Sequence, residues 1–366
     1  MVKADYYISP KEFKLSLKRF YDSDNLTDDL AENIKKIAYG LSFKSNFIGY
    51  CVDDQTEALT KRGWLKHFEI TEEDTILSYD GASGKLAWSS IKGIYRNDQY
   101  SGKLFKLTGK NINGRVTPGH RFMTREGLKP IEHITCRDKV VIMGDYVDSP
   151  ASNSYSDDFI QLLAWAVTEG SYKLGKTKHS IDISQRLDNY ADDIRGCLER
   201  SGVHFKEYPV SGTPMTTFRV SGQVANDIIE IAPGRALCAD FIVSLSHDQR
   251  MLLIKTMVKG DGTFRHGRDL CDQDTAWSYS QRCADHIDGF LMLCTLSGLS
   301  ASCNLVTNIR GYTRHPYHTV HIYSTPKLTL KGNNINFNGG RTTQGGVCKG
   351  GDDVLKGKEA NPNIPT

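Results

Sequence analysis

Apolar residues recur at helical spacing through the first fifty positions: Phe13, Leu17 and Phe20, then Leu30, Ile34, Ile37 and Leu41. Steps of three and four line one face of a helix, so two short amphipathic helices are predicted over 1–50, a length too small to fold alone. From Cys51 the texture changes. Short apolar runs at 59–64, 76–81, 86–88, 104–107, 121–124 and 140–142 alternate with turn pairs such as Asp80-Gly81 and Glu126-Gly127. That pattern predicts strands joined by tight turns, an all-β module over 51–145. Helical and strand patterns then mix over 146–330. Residues 331–366 are rich in Gly and Asn and have no apolar period, the composition of a flexible tail.

The mixed region contains an internal repeat. Ile183-Ser184-Gln185-Arg186 and the residues to Val203 align without a gap, at an offset of 96, with Tyr279-Ser280-Gln281-Arg282 and the residues to Leu299. Upstream of each copy, at an offset of 92, an apolar run ends in an acid and a glycine: 162–170, closing on Glu169-Gly170, and 254–262, closing on Asp261-Gly262. Two copies of one α/β unit predict a pseudo-twofold domain.

Composition narrows the class. The chain of 366 residues is 39% hydrophobic and 24% charged, which excludes a disordered chain and leaves room for two or three domains. No run approaches a membrane span, and Met-Val-Lys-Ala-Asp does not read as a signal peptide, so the expected compartment is the cytoplasm with no membrane partner. Nine scattered cysteines, with no Cys-x-x-Cys, indicate reduced thiols rather than a disulfide framework or a zinc ribbon. A net charge of +3 supplies no basic tail, so DNA binding would need a local cluster of Lys and Arg.

Candidate chemistry begins with the duplicated helices. Ala164 and Thr168 in one, and Thr256 and Gly260 in the other, place small residues four apart on one face, so the helices can pack closely. Glu169 and Asp261 would then meet at the helix ends. Two carboxylates held together form a hard oxygen site suited to Mg2+, which activates water and stabilises a leaving oxygen in phosphodiester cleavage.

Duplicated helices of this length and ending resemble those of the LAGLIDADG homing endonucleases. The resemblance implies an α+β domain in which both helices form the interface, Glu169 and Asp261 bind the metal, and four-stranded saddles grip double-stranded DNA. It also implies that Gln185 and Gln281 order water at the site. The motif does not place the lysine that would sit behind the metal-binding acids; Lys173, Lys176 and Lys178 are the candidates. With Arg265, Arg268, Arg310 and Arg314 they are also the best phosphate-contact candidates. His315, His318 and His321 fall three apart, a spacing that on a strand throws successive side chains to opposite faces, so a DNA-facing strand is expected rather than a zinc site.

The second chemical feature is Cys51, first residue of the β module, with Thr117 and His120 three apart in a turn leading into a strand. Cys51-Val-Asp-Asp-Gln-Thr56, Leu59-Thr-Lys-Arg-Gly-Trp64 and Val116-Thr-Pro-Gly-His120-Arg-Phe-Met-Thr124 resemble the N-terminal splicing blocks of an intein in the Hint fold. The resemblance implies that Cys51 attacks the Tyr50 carbonyl, that His120 protonates the departing amide nitrogen, and that Thr117 helps hold the scissile peptide. LAGLIDADG nucleases are common passengers inside inteins, so the two resemblances support each other. The C-terminal splicing blocks are missing: Asn361 and Asn363 precede Pro362 and Ile364, neither an acceptor nucleophile. Splicing is therefore expected only in trans, with a C-terminal intein fragment as partner.

Residues 37–50, with Tyr6-Tyr7-Ile8 and Glu12-Phe13, resemble the N-terminal region of the sigma-like late transcription factor of T4-type phages. That makes 1–50 an N-extein and implies RNA polymerase as the spliced host protein's partner in a phage-infected bacterium. The alternative expectation is a truncated sigma-like DNA-binding protein carrying a decayed, inactive insertion.

Overall fold

In the computed structural model the described residues are 51–96, 100, 104–109, 112–135, 138–147, 153, 155–176, 178–265, 276–307 and 315–323. The helices expected over 1–50 and the tail at 331–366 lie outside them, as do Arg268, Arg310 and Arg314.

From Cys51 to Val147 the described residues form nine strands, and their one helical element is the 3-10 turn Ile131–His133. The run 59–64, expected as one strand, is a hairpin: β1 (Glu57–Thr60) and β2 (Gly63–Lys66) meet at Thr60 and Gly63, which takes a φ of +105°. The two-residue turn reverses the chain because glycine tolerates that left-handed backbone. β3 (Thr75–Asp80) and β4 (Lys85–Ser90) follow, then the hairpins of β5 (Phe105–Gly109) with β6 (Ile112–Val116) and β7 (Arg121–Thr124) with β8 (Gly127–Pro130). The run 140–142 makes only an isolated bridge, Val140 to Thr124. β9 (Asp145–Tyr146) joins β4 in parallel, closing a sheet of order β2-β1-β3-β4-β9, and Val147 N donates to Leu86 O.

The remaining described residues build one unit twice. In the first, α1 (Asp157–Glu169) leads to β10 (Gly170–Leu174), β11 (His179–Arg186), α2 (Ala191–Arg200), β12 (Phe205–Val210), β13 (Met215–Ser221) and α3 (Gln223–Ile231). After α4 (Ala239–Ser244), α5 (His247–Asp261) opens the second: β14 (Gly262–Arg265), β15 (Ala276–Gln281), α6 (Ala284–Leu296), β16 (Ser300–Val306) and β17 (Tyr317–Tyr323). The sheets have the same order, β10-β11-β13-β12 and β14-β15-β17-β16, and the same antiparallel pairing. The pseudo-twofold α+β architecture expected from the repeat is what forms.

Local signals explain the helix limits. Ser156 accepts from Phe159 N at the start of α1, and Ser246 forms a capping box with Gln249 at the start of α5. α2 and α6 end on Gly202 (φ +64°) and Gly298 (φ +69°), with Val203 N and Leu299 N donating back five residues to Leu198 O and Cys294 O. Gly170 and Gly262 act differently. Both have extended backbone, and a Cβ on either would run into the preceding turn: 2.9 Å from Ala166 C at Gly170, 2.7 Å from Val258 O at Gly262. These glycines let each helix turn directly into a strand.

The β module packs on the second unit. Trp64 Nε1 donates to Asp288 O in α6 at 3.1 Å, and the buried Arg250 of α5 lies over the Tyr146 ring, 5.3 Å from its centroid.

Candidate active site

α1 and α5 pack along the small-residue faces read from the sequence. A Cβ at Gly260 would lie 2.7 Å from Thr168 Cβ, so only glycine fits against Thr168. The threonine hydroxyls that this contact would strand are satisfied within their own helices, Thr168 Oγ1 donating to Ala164 O and Thr256 Oγ1 to Leu252 O, each at 2.9 Å. Close packing at the last turns sets Glu169 and Asp261, each the final residue of its helix, within electrostatic reach of one another.

Each acid takes one hydrogen bond from the glutamine of its own half. Gln185 Nε2 donates to Glu169 Oε1 at 3.1 Å, and Gln281 Nε2 donates to Asp261 Oδ2. Gln185 is itself fixed, its Oε1 accepting from Arg186 N at 2.8 Å. The glutamines expected to order water therefore hold the acids directly.

Burial pushes the Glu169 carboxyl up to about 7, and the Asp261 charge adds to the rise, against Gln185 and Arg235. Burial likewise pushes Asp261 up to about 6, against Arg235 and Gln281. Two desolvated acids at helix C-termini lie where the helix dipole also disfavours negative charge, so an added cation is favoured. Carboxylate oxygens suit a hard divalent ion such as Mg2+. Among the described residues no group of three or more His, Cys, Asp or Glu converges, so the pair would leave the rest of the coordination shell to water and substrate oxygens.

Lys173, Lys176 and Lys178 are exposed around the β10–β11 hairpin, and the cation whose charge bears on both acids is Arg235. Its Nη1 donates to Thr168 O at 3.0 Å and Gly170 O at 3.5 Å. Sequence reasoning missed it: Arg235 lies between the repeat copies, outside every aligned block. Arg265 is at the end of β14, in register with Ala276. In β17, His318 is in register with Gln281 and His321 with Ser278, on opposite faces as expected.

The structure also brings Cys51 and Thr117 together. Cys51 N donates to Thr117 Oγ1 at 3.1 Å, Thr117 N donates to Cys51 O at 3.1 Å, and Val52 bridges Val116. His120 follows in the same turn, its N–H on Thr117 O at 3.2 Å and its ring 4.9 Å from that of Phe122. Burial raises the Cys51 thiol. Burial, and then the Cys51 charge, raise the Tyr100 phenol, a neighbour that no sequence motif indicated.

No family model matches the chain. A stretch of 139 residues is 27% identical to the ribonucleoside-diphosphate reductase subunit beta of Aquifex aeolicus, covering 36% of this chain and 19% of that protein. A stretch of 71 residues is 25% identical to the ATP-dependent Clp protease proteolytic subunit of Chlamydomonas moewusii, covering 19% of this chain and 7% of that protein. The chain thus spans a fifth or less of the length of these curated relatives. Similar solved structures include the homing endonuclease I-DmoI in complex with DNA and Ca, at 14% identity and a TM-score of 0.32, over 45% of this chain and 82% of that one. Another is the N-terminal LAGLIDADG domain of DUF199/WhiA, at 9% identity and a TM-score of 0.31, over 48% of this chain and 79% of that one.

Proposed function

We propose that residues 146–330 are a divalent-metal-dependent, site-specific double-strand DNA endonuclease of the LAGLIDADG type. The observation that carries this reading is the twofold acidic pair: two terminal carboxylates, each held by a glutamine from the adjacent strand, at the junction of two helices in glycine–threonine contact. Glu169 and Asp261 would hold Mg2+, which when bound supplies charge to activate water and stabilise the leaving oxygen. Gln185 and Gln281 orient the carboxylates, and the packed helices exclude bulk water from one side of the pair. Lys173, Lys176, Lys178, Arg265, Arg268, Arg310 and Arg314 would contact phosphates. Glu169→Gln is expected to reduce cutting of an intein-less host allele by roughly 10²-fold or more while specific binding persists. Normal cutting by that variant, or no cutting by the parent chain with any divalent ion, refutes the assignment.

A second activity is favoured by the bond from Cys51 N to Thr117 Oγ1, because that nitrogen belongs to the Tyr50–Cys51 peptide bond. In this reading Cys51 Sγ gives up its proton and attacks the Tyr50 carbonyl carbon, the C–N bond breaks, His120 delivers a proton to the released nitrogen and is replenished by the one the thiol lost, and a thioester remains. The module over 51–145 would then be the N-terminal part of a Hint-type intein, splicing in trans with a C-terminal fragment. Residues 1–50 would be the extein of a phage sigma-like factor that works with RNA polymerase in the bacterial cytoplasm. A strong thiol should release residues 1–50, observed by mass spectrometry. Cys51→Ala should block release and His120→Ala should slow it by about 10²-fold. Equal release from Cys51→Ala would mean proteolysis.

A further inference from the structure

The β module carries a repeat of its own. At an offset of 64, Val52, Thr60, Gly63, Ile70, Thr71 and Asp74 recur as Val116, Thr124, Gly127, Ile134, Thr135 and Asp138. The copies fold alike. Thr60 Oγ1 donates to Gly63 O at 2.9 Å and Thr124 Oγ1 to Gly127 O at 2.7 Å, across turns in which both glycines are left-handed, at φ +105° and +110°. Asp74 and Asp138 each accept from the backbone N–H and the hydroxyl of the threonine three residues before, and each holds one basic side chain, Arg62 and Lys129. Val52 bridges Val116, its own counterpart, so the pseudo-twofold axis of the module passes between them. Around that axis the backbone bonds come in equivalent pairs: Thr117 N to Cys51 O and Asp53 N to Arg115 O, then His120 N to Thr117 O and Thr56 N to Asp53 O.

The side chains at the axis do not match. Residues on either side of each valine share a face, so Cys51, Asp53, Arg115 and Thr117 lie together while Val116 is buried opposite them. One half of this face is Cys51 with Thr117 Oγ1 on its nitrogen. The other half, at the equivalent positions, is an ion pair: Arg115 Nε donates to Asp53 Oδ2 at 2.7 Å, and Thr56 Oγ1 donates to Asp53 Oδ1 at 2.6 Å. The Asp53 side chain is only 9% exposed, which shields these charge-assisted bonds from water.

We propose that Asp53 and Arg115 are positioning residues for Cys51: their ion pair fixes 51–53 on 115–117 and so keeps the Cys51 nitrogen on Thr117 Oγ1. A pairing of three residues is too short to hold itself in water, and the charged bond supplies the missing constraint. The half of the axis without a nucleophile thus holds the half that has one. The effect on thioester formation rests on the autoprocessing reading; the fixing of 51–53 does not.

Release of residues 1–50 by a strong thiol, followed on the full chain by mass spectrometry, tests the effect on the reaction. Asp53→Asn and Arg115→Gln should each slow release by about tenfold, because small displacements of a reacting group cost large factors in rate. The double variant should be no slower than either single one, since both remove the same bond, and Arg115→Lys should fall between parent and Arg115→Gln. Asp138→Asn breaks an ion pair of the second copy outside the axis; it should lower the melting temperature as Asp53→Asn does yet leave release within about twofold. Slowing by Asp138→Asn equal to that by Asp53→Asn, or normal release from Asp53→Asn, overturns the positioning of the reaction. Hydrogen–deuterium exchange tests the fixing itself: Asp53→Asn should raise exchange over 48–58 by about fivefold while 133–143 stays within about twofold. Equal change in both peptides, or none, overturns it. A parent chain that releases nothing refutes the autoprocessing reading, and exchange then decides by itself whether the ion pair fixes 51–53.

Discussion

The two units of the α+β domain have the same strand order and the same acid–glutamine pair, but their sheets present different chemistry on the face turned from the helices. In the first, strand alternation sets Lys173, Asp182, Arg219, Lys206 and Tyr208 on that face; Arg219 pairs with Asp182 at 2.6 Å and lies over the Tyr208 ring. In the second, the corresponding face of β15, β16 and β17 carries Ser278, Ser280, Ser302, Asn304, Thr319 and His321. Across β11–β13 that face is charged and across β15–β17 it is hydroxyl and amide, although both carry the same hydroxyl pair, Ser184–Thr217 and Ser280–Thr319, and β14 ends on Arg265 at the register position of Lys173. The acid–glutamine pairs are duplicated at the helix junction and the hydroxyl pairs on the sheets, while the charged positions of the sheets differ.

The helix interface gives the largest effect. Its two sides are not interchangeable, because Gly260 has no room and Thr168 provides the obstacle. Gly260→Val should destabilise the chain by about 1–3 kcal/mol through overpacking. Thr168→Val keeps the volume and removes a hydroxyl bonded only within its own helix, so the loss should stay under about 1 kcal/mol. Urea unfolding of both variants measures the contrast, and similar midpoints would show that the helices can separate without penalty.

The acidic pair gives a smaller effect, readable by pH. Both carboxyls titrate higher in the folded chain, about 7 and about 6, than the roughly 4 of an unfolded acid. The folded state therefore binds extra protons across that window. The stability the pair contributes is present below about pH 4 and is lost as pH rises through 6 and 7. Without divalent ions, melting should fall between pH 5.5 and 8 more steeply for the parent chain than for the Glu169→Gln/Asp261→Asn double variant. Mg2+ should raise the parent's melting temperature by a few degrees more at pH 8 than at pH 5.5. An equal Mg2+ effect in the double variant would place the ion elsewhere.

Much of this site was legible because it is local and repeated. The apolar helices, their acid-glycine endings and the Ser-Gln-Arg blocks each follow from a few consecutive residues, and duplication separates them from chance. Even the change of offset from 92 to 96 has a structural meaning: the four extra residues fall between Gly262 and Ser280, within the first hairpin of the second unit. What stayed hidden depends on distant partners. Arg235 matters through carbonyls in α1, β9 is a two-residue strand defined by its parallel pairing with β4, and the 59–64 run is a hairpin because Gly63 tolerates positive φ. Neither of the first two has a period or a repeat to reveal it.

The sheet faces give the smallest effect and the sharpest test of the comparison between units. A phosphate contact by Lys or Arg releases counterions, so losing one should lower the salt slope of DNA binding by about one unit, whatever the sequence. A contact from Ser, Asn or His to a base edge discriminates among bases, by about 1–3 kcal/mol for a good pair. Lys206→Ser and Lys173→Ser should thus each flatten the slope and weaken specific and non-specific binding alike. Arg219→Ser should do less, because its charge is already spent on Asp182. Asn304→Ala and His321→Ala should leave the slope in place and relax base preference over one half of the site. Binding isotherms across a salt series, on the target and on half-site variants, separate these outcomes. If the first-unit lysines relax base preference while Asn304→Ala flattens the slope, then the division of labour between the two sheets runs the other way.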